Sequence, residues 1–183
     1  MRLFIAIDLD EKTRSNIAKV INELKRRDFD VKWVNPDNIH LTLKFLGEVR
    51  EDQIKDLEER ISNVLKGMKR FKASISELGY FGSPNYVKVI WLDVTEGREK
   101  LIELSRLFNR ELSYIRKEEH KSSPHITIGR VRTGRNRDEL LREIERLKCV
   151  KIGEVNVNEI KLKRSVLGEE GPVYSDVKVF NLG

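Results

Sequence analysis

The chain has little of what marks an exported, membrane-bound or disulfide-linked protein. Its 183 residues include one cysteine, Cys149, so no intramolecular disulfide can form, which favours a reducing cytosol. No run approaches the ~20 apolar residues that a membrane-spanning helix needs. Asp8, Asp10 and Glu11 interrupt the short apolar stretch at the N-terminus, which therefore does not resemble a signal peptide. We expect a cytoplasmic protein without a membrane partner.

Several catalytic signatures are also missing. There is no Gly-x-x-x-x-Gly-Lys-Ser/Thr loop, which argues against a P-loop ATPase, and no Lys-x-Asp-Gly segment of the nucleotidyl-transferring ligases. The chain has neither His-Glu-x-x-His nor Cys-x-x-Cys, so zinc chemistry is disfavoured. We therefore expect no metal and no cofactor.

Charge is what the chain has in abundance. Charged residues make up 36% of it and Gln53 is its single glutamine, a profile typical of thermophilic proteins. The formal net charge is +6 and the pI is near 9.4, which modestly favours a nucleic-acid or nucleotide partner. Many soluble proteins are mildly basic, so the charge alone does not identify that partner.

Apolar spacing alternates between strand and helix periods along the whole chain, and several strands follow one another through short turns. This order predicts an α+β fold with antiparallel or mixed sheets. No linker divides the chain, so we expect one domain, 1–183, made of two lobes with approximate halves 1–83 and 84–183. Strands are predicted over 3–9, 31–34, 39–46, 71–75, 87–94, 125–131, 155–162 (with a bulge near Glu159) and 173–180, and helices over 11–27, 54–65, 101–115 and 140–147.

One short pattern occurs twice. His40-Leu-Thr-Leu43 and His125-Ile-Thr-Ile128 each place a histidine, an apolar residue, a threonine and an apolar residue on a predicted strand. The two histidines are 85 residues apart (125 − 40), close to half the chain, which indicates a weak internal duplication. Side chains alternate faces along a strand, so each histidine shares a face with its threonine while the apolar residues point to the core.

Two imidazoles and two hydroxyls facing one groove suit a phosphodiester. A neutral histidine can take a proton from an attacking nucleophile while a protonated one delivers a proton to the leaving oxygen. Threonine hydroxyls can bind the non-bridging phosphate oxygens. A single His-x-Thr is more often a half-buried strand histidine bonded to a neighbour. Two copies in the same phase, among only three histidines, favour the functional interpretation.

With these two tetrads, the chain resembles the 2H phosphoesterases, and within them the archaeal and bacterial RNA 2′,3′-cyclic phosphodiesterases, also called 2′-5′ RNA ligases. The resemblance spans the chain, from Arg2–Leu9 through His40–Val49 and Pro124–Arg130 to Ser165–Leu167 and Gly171–Tyr174. It implies two pseudo-symmetric lobes, with helices on the outer face of each sheet, around a central groove. It also implies opening of a 2′,3′-cyclic phosphate to a 2′-phosphate.

In that family the first histidine is usually the acid and the second the base. The resemblance therefore implies that His40 is the proton donor, His125 the proton acceptor, and Thr42 and Thr127 phosphate-binding residues. The partner would be RNA with 2′,3′-cyclic phosphate ends, of which tRNA halves are one candidate, or nucleotides. Running the same chemistry in reverse, with an RNA 5′-hydroxyl in place of water, would join tRNA halves through a 2′-5′ linkage. We expect a monomer.

Other candidates are weaker. Arg130 follows the second tetrad and could contact RNA phosphates, but strict alternation puts it on the face opposite His125. Trp33 could stack on a nucleobase, as could Tyr80 and Phe81, whereas alternation turns Phe45 toward the core. We expect Lys161, Lys163 and Arg164 at a solvated strand edge, His120 at the surface of the polar loop 117–124, and Cys149 as buried filler at a helix end.

Two alternatives remain open from the residues. The basic surface also fits an RNA-binding module without catalysis, in which both histidines would be dispensable. The same site could instead act on a 2′-5′ oligoadenylate or a cyclic ADP-ribose phosphate. Turnover of these substrates beside a cyclic-phosphate dinucleotide discriminates between them.

Overall fold

The computed structural model describes residues 1–118, 123–169 and 171–183, which form nine β-strands and four α-helices. The strands are β1 (Arg2–Asp8), β2 (Val31–Trp33), β3 (His40–Glu48), β4 (Phe71–Ser83), β5 (Tyr86–Val94), β6 (His125–Val131), β7 (Lys151–Val157), β8 (Glu159–Gly168) and β9 (Gly171–Asn181). The helices are α1 (Glu11–Lys25), α2 (Ile54–Leu65), α3 (Arg98–Glu111) and α4 (Arg137–Arg146). The α+β class is confirmed.

The strands of the described residues form two antiparallel sheets. The His40 sheet has the order β3-β1-β8-β9, and the His125 sheet has the order β2-β6-β5-β4-β7. Apart from β2, the two orders correspond strand for strand, because β3 and β6 each begin with one of the paired histidines and each pairs with the strand at the start of its half. The predicted pseudo-symmetric lobes are thus present.

The helices cover the outer faces of the sheets in pairs. Helices α2 and α3 pack on the His40 sheet, against β9 and β3, while α1 and α4 pack on the His125 sheet, against β7 and β4. Helix α1 follows β1 in the chain but covers the other sheet, so the lobes are intertwined. Asp10 caps α1. The Asp10 carboxylate accepts a hydrogen bond from the backbone N–H of Thr13 at 2.8 Å and another from the Thr13 hydroxyl at 3.0 Å.

The core lies between each helix pair and its sheet. Strand β1 is central in the His40 sheet, and α1 buries one face completely, in keeping with its helical apolar spacing. Each fully buried apolar side chain of β1 and α1 stabilises the fold by roughly 1.5–3 kcal/mol. The buried residues of these two elements include Leu3, Ile5, Ile7, Ile17, Ile21 and Leu24.

One strand prediction was wrong. Residues 155–162 are not a single bulged strand but the end of β7 in the His125 sheet and the start of β8 in the His40 sheet, separated by Asn158. A slip in two-residue alternation looks the same in sequence whether a strand bulges or the chain passes from one sheet to another. Val157 and Ile160 are therefore both buried, but on strands of different sheets.

Strand β4 is longer than the alternation predicted and continues through two glycines. A Cβ atom at Gly79 would lie 2.4 Å from the Trp91 ring, and one at Gly82 (φ 117°) would lie 2.1 Å from the Tyr86 carbonyl oxygen. Glycine therefore permits close packing inside a strand here rather than ending it. Helix α3 begins and ends a few residues earlier than predicted. No helix among the described residues is long and apolar enough to cross a membrane.

Candidate active site

Strands β3 and β6 meet where the two sheets face each other. Each strand begins with its histidine, and the two strands are in contact although they belong to different sheets. Both have the same burial pattern, in which the histidine and threonine are half-buried and the alternating apolar residues are fully buried. The apolar residues that anchor the strands are Leu41, Leu43, Ile126 and Ile128. The structure thus places each histidine on the same face of its strand as its threonine, and the two strands are in contact.

Matching hydrogen bonds orient both imidazoles. His40 Nδ1 lies 2.8 Å from the carbonyl oxygen of Asn38, and His125 Nδ1 lies 2.6 Å from that of Ser123. A carbonyl oxygen can only accept, so each Nδ1 must carry the proton and donate it. The neutral ring is therefore fixed as the tautomer whose Nε2 is free to accept a proton from a ligand.

Aromatic rings pack around each histidine. The His40 ring centroid lies 4.9 Å from that of Phe4 and 5.1 Å from that of Tyr174, with Tyr174 edge-on, and His125 has Phe81 edge-on at 4.8 Å. Burial against these rings lowers the pKa of both histidines below 6.5, while the carbonyl hydrogen bonds partly offset the effect. Both imidazoles are thus predominantly neutral at pH 7 in the absence of a ligand.

A bulge follows each tetrad at the same place. The pairing of β1 with β3 skips Leu43, and that of β5 with β6 skips Ile128, so the next residue also faces the core. In β3 this residue is Lys44, which is 1% exposed and donates a hydrogen bond to Asn109 Oδ1 at 2.9 Å; in β6 it is Gly129. Beyond each bulge the alternation is reversed.

The reversal corrects two predictions made from strict alternation. Phe45 is 49% exposed, and its ring lies 6.3 Å from Phe4 on the histidine face, so it is not a core residue. Arg130, the equivalent residue in β6, is exposed on the face of His125 rather than the opposite one. Burial lowers the pKa of His125 and raises that of Tyr174, and the Arg130 charge acts to lower both, so the guanidinium lies near a residue of each sheet.

Trp33 lies at the edge of the site. It pairs with Gly129 across β2 and β6 and packs, half-buried, against the core. A Cβ atom at Gly129 would lie 3.0 Å from the Trp33 ring and 2.7 Å from Val31 Cγ1, so the glycine gives β2 room to approach. The ring therefore supports β6 from the core side.

Lys161 and Lys163 are not at a solvated edge as predicted. Strand β8 is internal to its sheet, and these side chains are only 15% and 10% exposed. Lys163 Nζ contacts Asp8 at 2.9 Å and Asp176 at 2.6 Å, and Lys161 Nζ contacts both carboxylates at 2.9 Å. Burial acts to raise the pKa of Asp8, but the hydrogen bonds from the two lysines outweigh it, so this pKa is lowered. The four residues form an ion-pair network beside His40.

Other residues singled out from the sequence fall in different places. Cys149 is exposed rather than buried, because α4 ends at Arg146 and the cysteine lies in the turn that follows. His120 lies outside the described residues. Within the described ranges, no group of three or more histidine, cysteine, aspartate or glutamate residues could hold a metal ion.

Some neighbours of the histidines were not identified from the sequence. Phe4 and Tyr174 frame His40, yet an isolated aromatic residue gives no signal of the face it occupies. Asp8 and Asp93 lie opposite the two histidines across β1–β3 and β5–β6. A signal for this pair was available, because the aspartates have the same 85-residue separation as the histidines.

Comparison with known proteins agrees with this architecture. The family described as LigT like phosphoesterase matches the chain twice, over residues 7–91 and 92–174. Each histidine lies 33 residues after the first residue of its own match (40 − 7 and 125 − 92), so the two halves correspond in register. The chain belongs to the LigT-like, or 2H, phosphoesterase family.

Particular relatives carry one functional name. A protein of Methanothermobacter thermautotrophicus, 40% identical over 100% of this chain and 99% of its own length, is named RNA 2′,3′-cyclic phosphodiesterase. So is one of Archaeoglobus fulgidus, 36% identical over 98% of this chain and 99% of its own. A Thermus thermophilus crystal structure has a TM-score of 0.83 and 26% identity, covering 100% of this chain and 98% of that one. The crystal structure of Escherichia coli LigT with 3′-AMP has a TM-score of 0.77 and 24% identity, covering 99% of this chain and 97% of that one. At this identity the similarity shows a shared fold.

Proposed function

We propose that this chain is an RNA 2′,3′-cyclic phosphodiesterase that opens the terminal cyclic phosphate to a 2′-phosphate. The observation that carries the proposal is the matched pair of histidines on adjoining strands, each with Nδ1 donating to a carbonyl and Nε2 free. The names of the full-length relatives support it. The proposed setting is the cytoplasm, and the monomer suffices because one chain supplies the whole site.

Displacement at phosphorus requires an acid and a base on opposite sides of the reacting atom, because the nucleophile enters in line with the leaving oxygen. One histidine from each sheet fits this requirement. His125 Nε2 takes the proton of the attacking water, and His40, protonated on Nε2, delivers a proton to the departing ribose 3′-oxygen. The carbonyls of Asn38 and Ser123 hold both rings in the required orientation throughout.

The negative charge that accumulates on the non-bridging oxygens needs donors that are already in place. Thr42 and Thr127 share the face of their histidines, so their hydroxyls can donate to those oxygens. Arg130 adds a cation with a forked donor geometry on the same side, and no metal ion is needed. The ring of Trp33 supports this strand from behind rather than contacting the phosphate.

Binding the anionic substrate favours the protonated form of His40, because a nearby negative charge raises the pKa of an imidazole. In the free enzyme burial holds both histidine pKa values below 6.5, so kcat/KM should have a bell-shaped profile with its optimum below about pH 6.5. An optimum above pH 8 contradicts this assignment.

The same groups can run the reaction in reverse. With an RNA 5′-hydroxyl in place of water, His125 would activate the nucleophile and a 2′-5′ linkage would form without ATP, as in the joining of tRNA halves. Hydrolysis should dominate because water is in large excess. The ligase activity is tested by incubating tRNA halves with the enzyme and following the linkage in both directions.

The decisive experiment uses an RNA that ends in a 2′,3′-cyclic phosphate, incubated in excess chelator. We expect a 2′-phosphate product, and we expect His40→Ala and His125→Ala to reduce turnover by roughly 10²–10⁴-fold. Thr42→Val and Thr127→Val should each reduce it less, because one neutral donor is removed while the proton relay remains. Arg132→Ala, a nearby exposed cation, is the matched control.

Several results would overturn the proposal. A 3′-phosphate product would reverse the assignment of the leaving oxygen. Turnover that survives in either histidine variant would favour the non-catalytic RNA-binding module. Faster turnover of a 2′-5′ oligoadenylate or a cyclic ADP-ribose phosphate than of the cyclic-phosphate RNA would retain the mechanism but change the substrate.

A further inference from the structure

Each of the two paired histidines has an aspartate opposite it on the neighbouring strand. Asp8 lies directly opposite His40 in the β1–β3 pair, and Asp93 lies directly opposite His125 in the β5–β6 pair. Residues opposite each other in antiparallel strands point to the same face, with Cβ atoms about 4.5–5.5 Å apart. Each imidazole therefore has a carboxylate as its cross-strand neighbour, in both halves of the duplicated fold.

Each aspartate is paired with cations that also face the histidine. On the His40 side, Lys163 from β8 donates to both oxygens of Asp8, at 2.9 and 3.0 Å, and Asp176 from β9 accepts from the same lysine. Tyr174 from β9 packs edge-on against the imidazole. The Lys163 charge acts to lower the pKa of His40, and the Asp8 charge acts to raise it. Lys161 also contacts Asp8 and Asp176, so two lysines are balanced by two carboxylates beside this imidazole.

The His125 side has the same plan with different partners. Arg98 at the start of α3 forms a short ion pair with Asp93, and its other guanidinium nitrogen donates to Ser123 Oγ at 3.3 Å. The carbonyl of Ser123 is the group that orients His125. Arg130 from β6 adds a second cation, so the imidazole faces two cations and one carboxylate.

We propose that Asp8 and Asp93 are a duplicated pair of positioning residues, each of which balances cations around its own histidine, and that the uncompensated Arg130 makes the two halves of the site electrostatically unequal. The proposal rests on the proposed function for its kinetic consequences only. Asp8 compensates Lys163, so the nearby charges add little to the burial that lowers the His40 pKa, which suits its role as acid. Asp93 compensates Arg98 but not Arg130, so His125 favours the neutral form that a base requires.

The test is an NMR titration of the histidine ring signals, assigned with the His40→Ala and His125→Ala variants. Asp8→Asn should lower the pKa of His40 by roughly one unit and leave His125 unchanged, because the carboxylate is lost and Lys163 remains. Asp93→Asn should lower the pKa of His125 and leave that of His40 unchanged. Lys163→Met should raise the pKa of His40, an opposite shift that loss of packing alone does not produce.

Matched controls separate charge from stability. Asp176→Asn removes a carboxylate from the same lysines without removing the one opposite the imidazole, so it should move the His40 titration much less than Asp8→Asn does. Asp28→Asn breaks an ion pair with Arg135 that is separate from this network and should move neither histidine.

Kinetics give a second readout. If His40 is the acid and His125 the base, Asp8→Asn shifts the alkaline limb of the kcat/KM profile to lower pH, and Asp93→Asn shifts the acidic limb to lower pH. Histidine titrations that change by less than about 0.3 units in the folded Asp8→Asn and Asp93→Asn proteins overturn the proposal, even in an active enzyme. If the unaltered protein does not turn over the cyclic-phosphate RNA, the proposed function is overturned, but the titration result still tests the role of the two aspartates.

Discussion

Replacing Arg130 with methionine tests whether the bulge in β6 turns this residue toward the proposed phosphate site. The side chain is exposed and its charge reaches both His125 and Tyr174, so the guanidinium can approach an anion held between the sheets. At an effective dielectric constant of about 20, opposite charges ~5 Å apart attract by about 3 kcal/mol. The same magnitude is typical when one donor to a developing oxyanion is removed.

A loss of about 3 kcal/mol in transition-state stabilisation reduces kcat/KM by roughly 10²-fold. The assay is hydrolysis of a cyclic-phosphate dinucleotide at several salt concentrations, with Arg132→Met as the matched control because Arg132 is also exposed, two residues further on. Arg130→Lys should recover part of the loss, since it keeps the charge but not the fork. The folded state should be unaffected within about 0.5 kcal/mol, because the side chain is at the surface.

Two outcomes would refute the reasoning. If Arg130→Met and Arg132→Met reduce kcat/KM equally, the bulge does not place Arg130 at the phosphate, and the basic stretch acts only as a diffuse field. If the acidic limb of the pH profile fails to move to higher pH in Arg130→Met, the guanidinium does not lower the pKa of His125 as the structure indicates.

Three further predictions concern the stability of the fold. Gly129→Ala should destabilise the fold by about 1–3 kcal/mol in urea titrations, because the added Cβ meets Val31, whereas Gly134→Ala, with open space around it, should be neutral. Asn109→Ala should cost ~1–3 kcal/mol by leaving the buried Lys44 ammonium without its partner, and unchanged stability would contradict that role. Because burial lowers the pKa of both paired histidines, the free energy of unfolding should fall as pH drops below about 6.5; replacing both with glutamine should flatten that dependence.

The two halves of the site illustrate what a duplicated sequence does and does not reveal. The His-x-Thr spacing, the 85-residue separation and the flanking apolar residues predicted two strands, each with its polar residues on one face. These features are local, because alternation along a strand follows from backbone geometry alone. Alternation failed one residue beyond each tetrad, at Lys44 and Gly129, because a bulge depends on the partner strand.

The ion pairs around the histidines were equally inaccessible from the sequence. Lys161 and Lys163 look like ordinary surface lysines until β8 is placed between β1 and β9, where the carboxylates of Asp8 and Asp176 reach them. The same holds for the exchange of helices, in which α1 leaves the sheet of β1 and covers the other. Strand order sets these contacts, and it brings together residues more than a hundred positions apart.

The sequence by itself determined the α+β class, the duplication and the shared face of each histidine and its threonine, since all three follow from the pattern of residues along the chain. Only the tertiary structure decided that the strands adjoin, that each Nδ1 is bound to a carbonyl, and that Arg130 shares the face of His125. It alone showed which charges lie near each histidine, because these come from β6, β8, β9 and α3. The electrostatic field at a ring depends on distances in space, which spacing along the chain does not specify.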